Sequence, residues 1–261
     1  MSERSTMEYL RKVDFDAYER NGYEWQYLYN GESCVIIASS VPAGTAAPPN
    51  HIHPVDQLYY IVTGEMQVQL GDERFVAGPD TLVYIPAGTP HHNWNEGDVD
   101  EFHFEVLAPA PLPNVELMIP TDATDAEGRP YRVRPLVGTE VEEPLPGFTM
   151  QRLLRRADAS DHMSLYIGSV APGAGGPNTH VHAFDQFYFV LDGTMSVEVG
   201  LERYTADPFT LVVLPAGVPH RQFNEGAATE RHITLLAPEP TDRETPWDVG
   251  VTLATTGEVH S

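Results

Sequence analysis

Apolar and polar residues alternate along most of this chain in runs too brief for helices. Short stretches rich in Val, Ile, Leu, Tyr, Phe and Thr are bounded by Gly, Pro, Asp and Asn, which predicts brief strands joined by tight turns. The strands expected are Leu58–Thr63, Met66–Leu70, Thr81–Ile85 and Phe102–Leu107, and later Phe187–Leu191, Met195–Val199, Thr210–Leu214 and Arg231–Leu236. In the last strand of each set, Phe102, Phe104 and Val106 share one side with His103 on the other, and Ile233 and Leu235 oppose His232 in the same way. If the apolar side faces the core, both histidines lie outside it, at a sheet or subunit interface; the alternative is a supporting role beside the site inside the barrel. Helical spacing is confined to Met7–Arg20, where Leu10, Val13, Phe15 and Tyr18 fit one face of a short helix. Twenty-three prolines and 21 glycines agree with a turn-rich, all-β chain.

The two sets of strands are one pattern written twice. Across positions 51 to 97 about half the residues recur 129 positions further on, among them Tyr59/Tyr188, Gly64/Gly193, Met66/Met195 and Asn95/Asn224. The repeat divides the chain into a domain at 1–110, a Pro-rich linker at 111–146 and a second domain at 147–261. Pro-rich segments tend to run extended over a surface, so the linker and the C-terminal end are expected to strap across the partner domain.

Charge and cysteine narrow the class. Fifteen basic against 38 acidic residues leave a net charge of -23, which repels nucleic acid and anionic membrane surfaces. The expected partner is a small-molecule substrate, with a homo-oligomer compatible with the interface reading of His103 and His232. Cys34 is the single cysteine and sits in an apolar run, which reads as a buried, inert thiol. With no signal-peptide pattern at Met1–Glu8 and no apolar run of about 20 residues, a cytoplasmic protein without a membrane span is expected.

The chemistry lies in the histidines. His51, His53 and Gln57 share strand parity, and His91 follows a tight Pro86-Ala87-Gly88 turn that can bring it back to them; His180, His182, Gln186 and His220 repeat the arrangement. A lone histidine is usually a hydrogen-bonded core or surface residue. A set of three with a glutamine, kept twice, points to a divalent metal in each half. Tyr59 and Tyr188 share the ligands' parity, so they either orient a substrate or fill the core. Asp56 and Asp185 have the opposite parity and read as structural, whereas Trp94 and Phe223 are candidates for cavity walls. His92 against Arg221 is the difference expected to distinguish the two sites, with the arginine suited to a carboxylate.

These residues carry a resemblance to the cupin superfamily, and specifically to two-domain bicupins. The first family motif, Gly-X5-His-X-His-X3,4-Glu-X6-Gly, is met by His51, His53 and Gly64, and again by His180, His182 and Gly193. The second, Gly-X5-Pro-X-Gly-X2-His-X3-Asn, is met by Pro86, Gly88, His91 and Asn95, and by Pro215, Gly217, His220 and Asn224. Gly44 and Gly173 are displaced by one place, Asp80 and Phe209 stand where the second motif opens with glycine, and glutamine replaces the family's glutamate in both halves. The resemblance implies two tandem double-stranded β-helix, or jelly-roll, barrels, each with a divalent metal.

Three imidazoles and a neutral amide leave the cation its full charge but bring no base among the ligands. Fe(II) or Mn(II) suits such a set best, with Ni(II), Co(II), Cu(II) and Zn(II) as alternatives. The leading reading is a metal-dependent oxidoreductase, a dioxygenase acting on a small enolisable or hydroxylated aromatic substrate. Its rivals are a Lewis-acid isomerase or lyase acting on a sugar acid, and a non-catalytic cupin that binds a small molecule.

Overall fold

Continuous apolar runs become strands here because the strands are buried on both faces. Every residue of Thr81–Ile85 and of Glu101–Ala108 is buried, as is every residue of Thr210–Leu214. The computed structural model describes residues 8–20, 23–45, 48–125, 131–156, 160–239 and 247–253. Among them there is no α-helix, and none is long and apolar enough to cross a membrane.

Each half is a double-sheet antiparallel barrel. The first combines a seven-stranded sheet, ordered 132–135, 81–85, 56–63, 101–108, 35–41, 24–30 and 19–20, with a five-stranded sheet, ordered 119–120, 51–52, 91–94, 66–70 and 73–77. The second repeats this with 10–12, 210–214, 185–192, 230–237, 164–170, 148–154 and 142–145 against 202–206, 195–199, 220–223, 180–181 and 249–250. Tyr59, Ile61, Val83 and Ile85 from the large sheet pack on Met66, Val68 and Leu70 of the small one to form the first interior. Tyr188, Val190, Val212 and Leu214 pack on Met195, Val197 and Val199 in the second.

The other face of each large sheet makes a third core, shared by both halves. Leu58, Tyr60, Phe102, Phe104 and Val106 join Phe187, Phe189, Leu211, Ile233 and Leu235 in one buried cluster, with the Phe104 and Phe189 rings 5.0 Å apart. The apolar side of Glu101–Ala108 therefore faces the other barrel. His103 and His232, expected outside, are fully buried within their own barrels.

The halves also exchange leading strands. Leu10 pairs with Val212 in the second barrel, and Val133, from the segment leading into the second barrel, pairs with Val83 in the first; Val83 and Val212 are repeat equivalents. The helix expected within Met7–Arg20 does not form over the described part of that stretch, because Leu10–Lys12 completes a sheet edge instead. In the expected linker, Ile119–Pro120, Arg132–Pro135 and Glu142–Leu145 are all paired, the first two onto the first barrel. Its prolines fit because each strand lies at a sheet edge, where a missing N–H breaks no ladder. Val249–Gly250 likewise pairs within its own barrel, with His180–Val181.

Asp80 and Phe209 keep the left-handed backbone for which the family motif uses glycine, with φ of 59° and 63°. Such a conformation costs an L-residue roughly 1–2 kcal/mol. At Asp80 it is offset by one contact within its barrel and one across to the other: the carboxylate accepts from Tyr60 Oη at 2.6 Å and from Arg231 Nη2 at 2.5 Å.

Candidate metal centres

The expected ligands converge in both barrels, by a different route from the one parity suggested. His51 lies in the small sheet and Gln57 in the large one, so the chain crosses between sheets at Pro54 and the ligands do not share one strand. His51 stands directly opposite His91 in the ladder, and His180 opposite His220. The tight turn before the last ligand is anchored to the second histidine, since Gly88 N–H donates to His53 O at 2.9 Å and Gly217 N–H to His182 O at 2.7 Å. Both glycines have positive φ, which a side chain at either place would strain.

All six imidazoles present the same nitrogen. Each Nδ1 lies 2.7–2.9 Å from a backbone carbonyl, those of Pro49, Leu117 and Thr89 in the first barrel and Asn178, Trp247 and Val218 in the second. A carbonyl can only accept, so each Nδ1 carries the proton and each Nε2 keeps its lone pair. Within each barrel the three histidines offer ligand atoms within 4.8 Å of one another. Burial lowers the basicity of His51, down to about 4, and of His220, to about 3, and moves His53, His91 and His180 the same way. Three neutral imidazoles with converging lone pairs are what a divalent cation requires.

Unpartnered atoms support the fit. His91 Nε2, His182 Nε2 and Gln57 Oε1 are buried without a hydrogen-bond partner, an arrangement that costs stability unless something binds there. In the first barrel Gln57 Nε2 donates to Glu105 at 2.6 Å, leaving Oε1 as the spare acceptor. In the second barrel Gln186 Oε1 lies 3.0 Å from His220 Nε2. Each group of histidines could hold one metal ion.

Each centre lines a cavity, of about 470 Å³ in the first barrel and 610 Å³ in the second. Tyr59 and Tyr188 line these cavities and pack edge-on against His103 and His232, at 4.9 and 5.0 Å. Burial holds both phenols protonated well above their usual range. Asp56 and Asp185 are structural as expected: Asp56 accepts from Tyr84 Oη and Ala87 N, and Asp185 from Ser33 Oγ and Ala216 N. Trp94 and Phe223 are not cavity walls. They stack under Arg74 and under Arg203 and Arg221 on the outer face of the small sheets. His92 and Arg221 share that face, where Arg221 grips Glu198 through Nε and Nη2, so this pair does not distinguish the centres.

What does distinguish them is a set of residues outside the motifs. Glu105 lines the first cavity, and its repeat equivalent is Thr234. Its carboxylate accepts from Gln57, from Ser39 Oγ at 2.9 Å and from Tyr23 Oη at 3.2 Å, with His103 Nε2 at 3.8 Å. Burial pushes Glu105 up, but the nearby His103 and hydrogen bonds from Gln57 and Ser39 outweigh it and hold the carboxyl below its usual range. Burial alone would lower His103, yet Glu101 and Glu105 raise it to about 9, so it is an imidazolium between two carboxylates. Strand parity could have flagged Glu101, His103 and Glu105 as one inward row, had the apolar side not been read as the interior.

Comparison with known proteins agrees with this geometry. The model of the cupin domain matches residues 39–107 and 166–233, together more than half of the chain. The chain belongs to the cupin family. As a two-barrel cupin it is similar in structure to oxalate decarboxylase of Bacillus subtilis, studied for its Mn(II) centres, with a TM-score of 0.70 at 14% identity over 92% of this chain and 80% of that one. It is also similar to a putative glyoxylate-induced protein of Pseudomonas aeruginosa, with a TM-score of 0.68 at 14% identity over 90% and 86% of the two chains. Among curated sequences, a Streptomyces cyaneus protein named polyketide synthase CurC is 33% identical over 31% of this chain, and an uncharacterized Methanocaldococcus jannaschii protein is 29% identical over 28%. The chain spans only 55% and 58% of those two relatives.

Proposed function

We propose that this cupin is a metal-dependent oxidoreductase whose first barrel prepares a small enolisable or hydroxylated aromatic compound for reaction with dioxygen. The observation that carries the reading is Glu105, a buried carboxylate that lines the first cavity one hydrogen bond from Gln57. The ligand set lacks a base, and Glu105 supplies one from a neighbouring strand.

His51, His53, His91 and Gln57 would hold the ion. Fe(II) or Mn(II) bound there supplies Lewis acidity toward a substrate oxygen and a one-electron path to dioxygen. The chain's own part begins with recognition: Tyr23, Trp25, Ile37 and Leu117 line the cavity and suit a flat, weakly polar molecule. The substrate O–H bond then breaks toward Glu105, whose carboxylate takes the proton and leaves a substrate oxyanion. The His103 imidazolium keeps Glu105 ionised beforehand, and the Glu105–Gln57 bond holds the amide oxygen toward the histidines. Tyr59 stays protonated and can donate to the oxyanion, which gives it an orienting role; Tyr188 has the same place in the second barrel. The relative named as a polyketide synthase supports an enolisable substrate, whereas the oxalate decarboxylase neighbours keep a lyase reaction as the rival. The partner in this reading is a small molecule. The charge of -23 keeps nucleic acid and anionic membranes out of it, and a lone buried thiol suits a reducing cytoplasm.

The test is oxygen uptake by the full chain loaded with Fe(II) or Mn(II), offered catechol and acetylacetone as probes. Uptake coupled to loss of the probe is expected, and Glu105→Gln should lower kcat about 100-fold while metal content is kept. Turnover without oxygen uptake would replace oxidation by a lyase or isomerase reaction. Binding without turnover would reduce the protein to a small-molecule carrier.

A further inference from the structure

The second cavity differs from the first in charge as well as size. Strand register identifies the substitutions: Tyr27 pairs with Ile37 in the first barrel, and Arg152 pairs with Tyr166 at the equivalent place in the second. All four side chains line their cavities. The arginine thus appears in the barrel where Glu105 has become Thr234. Among the described residues the first cavity has a carboxylate and no basic side chain apart from its histidines. The second has a guanidinium, and its one carboxylate, Asp248, lies half exposed beside His182 Nδ1 at 3.4 Å.

Arg152 is held ready for a ligand. Its Nε donates to Glu142 at 3.0 Å, and its Cζ lies 5.6 Å from the centre of the Tyr166 ring. Those contacts fix the plane of the fork, and among the described residues Nη1 and Nη2 make no hydrogen bond. The pair with Glu142 is partly exposed, at 28% and 41%, so solvent screens it and the guanidinium keeps much of its reach. Deeper in the same cavity, Gln222 Oε1 is buried without a partner. Phe148, Met150, Phe184, Leu236 and Trp247 supply apolar walls between these polar groups.

We propose that the second cavity is a binding site for a small aromatic carboxylate, distinct from the substrate of the first. The carboxylate takes the two Nη donors of Arg152, and Tyr166 and Trp247 flank the ring. Arginine suits this because its planar, charged fork matches a carboxylate, whereas the first barrel has a neutral tyrosine at the equivalent place and a carboxylate, Glu105, that repels an anion. One protein then serves two charge classes, a neutral enolisable compound in the first barrel and an organic anion in the second.

The test reads binding, so it stands apart from the oxidation assigned to the first barrel. The full chain is titrated with sodium benzoate and with benzamide, its uncharged analogue, by calorimetry and by tryptophan fluorescence. One benzoate per chain is expected, with benzamide at least about tenfold weaker, because a charged hydrogen-bond pair is worth that much or more. Arg152→Gln should weaken benzoate at least about tenfold and leave benzamide unchanged, Arg152→Lys should fall less, and Glu105→Gln should change neither. Equal affinity for the two probes, full benzoate affinity in Arg152→Gln, or tighter benzoate binding in Glu105→Gln overturns the proposal. Should Arg152→Gln fail to fold, the proposal is read from the native chain's preference for benzoate and from fluorescence quenching that Trp247→Phe abolishes.

Discussion

The two barrels keep the same ligands and differ in what stands behind them. In the first, the glutamine amide is held by a buried carboxylate and its oxygen is left spare. In the second, the corresponding oxygen lies 3.0 Å from the His220 Nε2 lone pair and the carboxylate has become a threonine. Duplication preserved the converging donors, because losing one loses the centre. The strands that roof each cavity were free to diverge, and they set its charge. A metal centre is thus specified by motif residues, while what it acts on is specified by neighbours that no motif contains.

Removing the centres one at a time is the strongest way to break the comparison. His53→Ala and His182→Ala should each cost about one of two metal equivalents, and the double variant should hold almost none, since two imidazoles and a neutral amide are too weak a set to keep a divalent ion through dialysis. Metal analysis by mass spectrometry after dialysis reads this. Loss of both metals from either single variant would mean that the barrels bind cooperatively and not as two centres.

The shared core gives the next largest effect. Phe104→Ala empties a fully buried site against Phe189 and should cost about 3–5 kcal/mol in urea unfolding, with both barrels lost in one transition. Two separated transitions would show barrels that fold independently of their common face.

A smaller effect sharpens the difference in charge. Thr234→Glu brings the first cavity's carboxylate into the second and should weaken benzoate about tenfold, by repulsion and by competition for Arg152. Unchanged binding would place the anion away from Thr234.

Cys34 offers the least perturbing probe, because it belongs to the core that both barrels share. Burial pushes its thiol up to about 12, against an opposing hydrogen bond from Ser33. At pH 8 a thiol reagent should label the native chain far more slowly than the urea-unfolded chain. A thiol held protonated in the fold alone contributes stability that is full below its ordinary pKa, near 9, and is lost as pH rises from there toward about 12. Fast labelling of the native chain would show that the interface opens readily.

Much of the fold was legible because strands and turns are written locally. Met66–Leu70, Thr81–Ile85 and their equivalents form where short β-branched and aromatic runs between turn residues placed them, and the histidines converge as the repeated spacing implied. The arms were not legible. Leu10–Lys12 carries a weak helical spacing, but a three-residue segment takes whatever sheet edge is open to it, and the open edge belongs to a strand about 200 residues away. Arg152 was equally hidden, since its equivalence with Tyr27 follows from strand register and not from the 129-residue offset.

By itself the sequence determined the candidate donors: six histidines that converge in two groups, recurring with a neighbouring glutamine at one spacing in two all-β halves, because residue type and local spacing are carried by the chain alone. The tertiary structure decided which way each strand faces. Glu101–Ala108 has an apolar side and a polar side, and alternation cannot say which is the interior when a second barrel covers the outside. Packing of the two large sheets against each other turned Phe102, Phe104 and Val106 outward and His103 and Glu105 inward. That choice placed a buried carboxylate beside the first group of histidines.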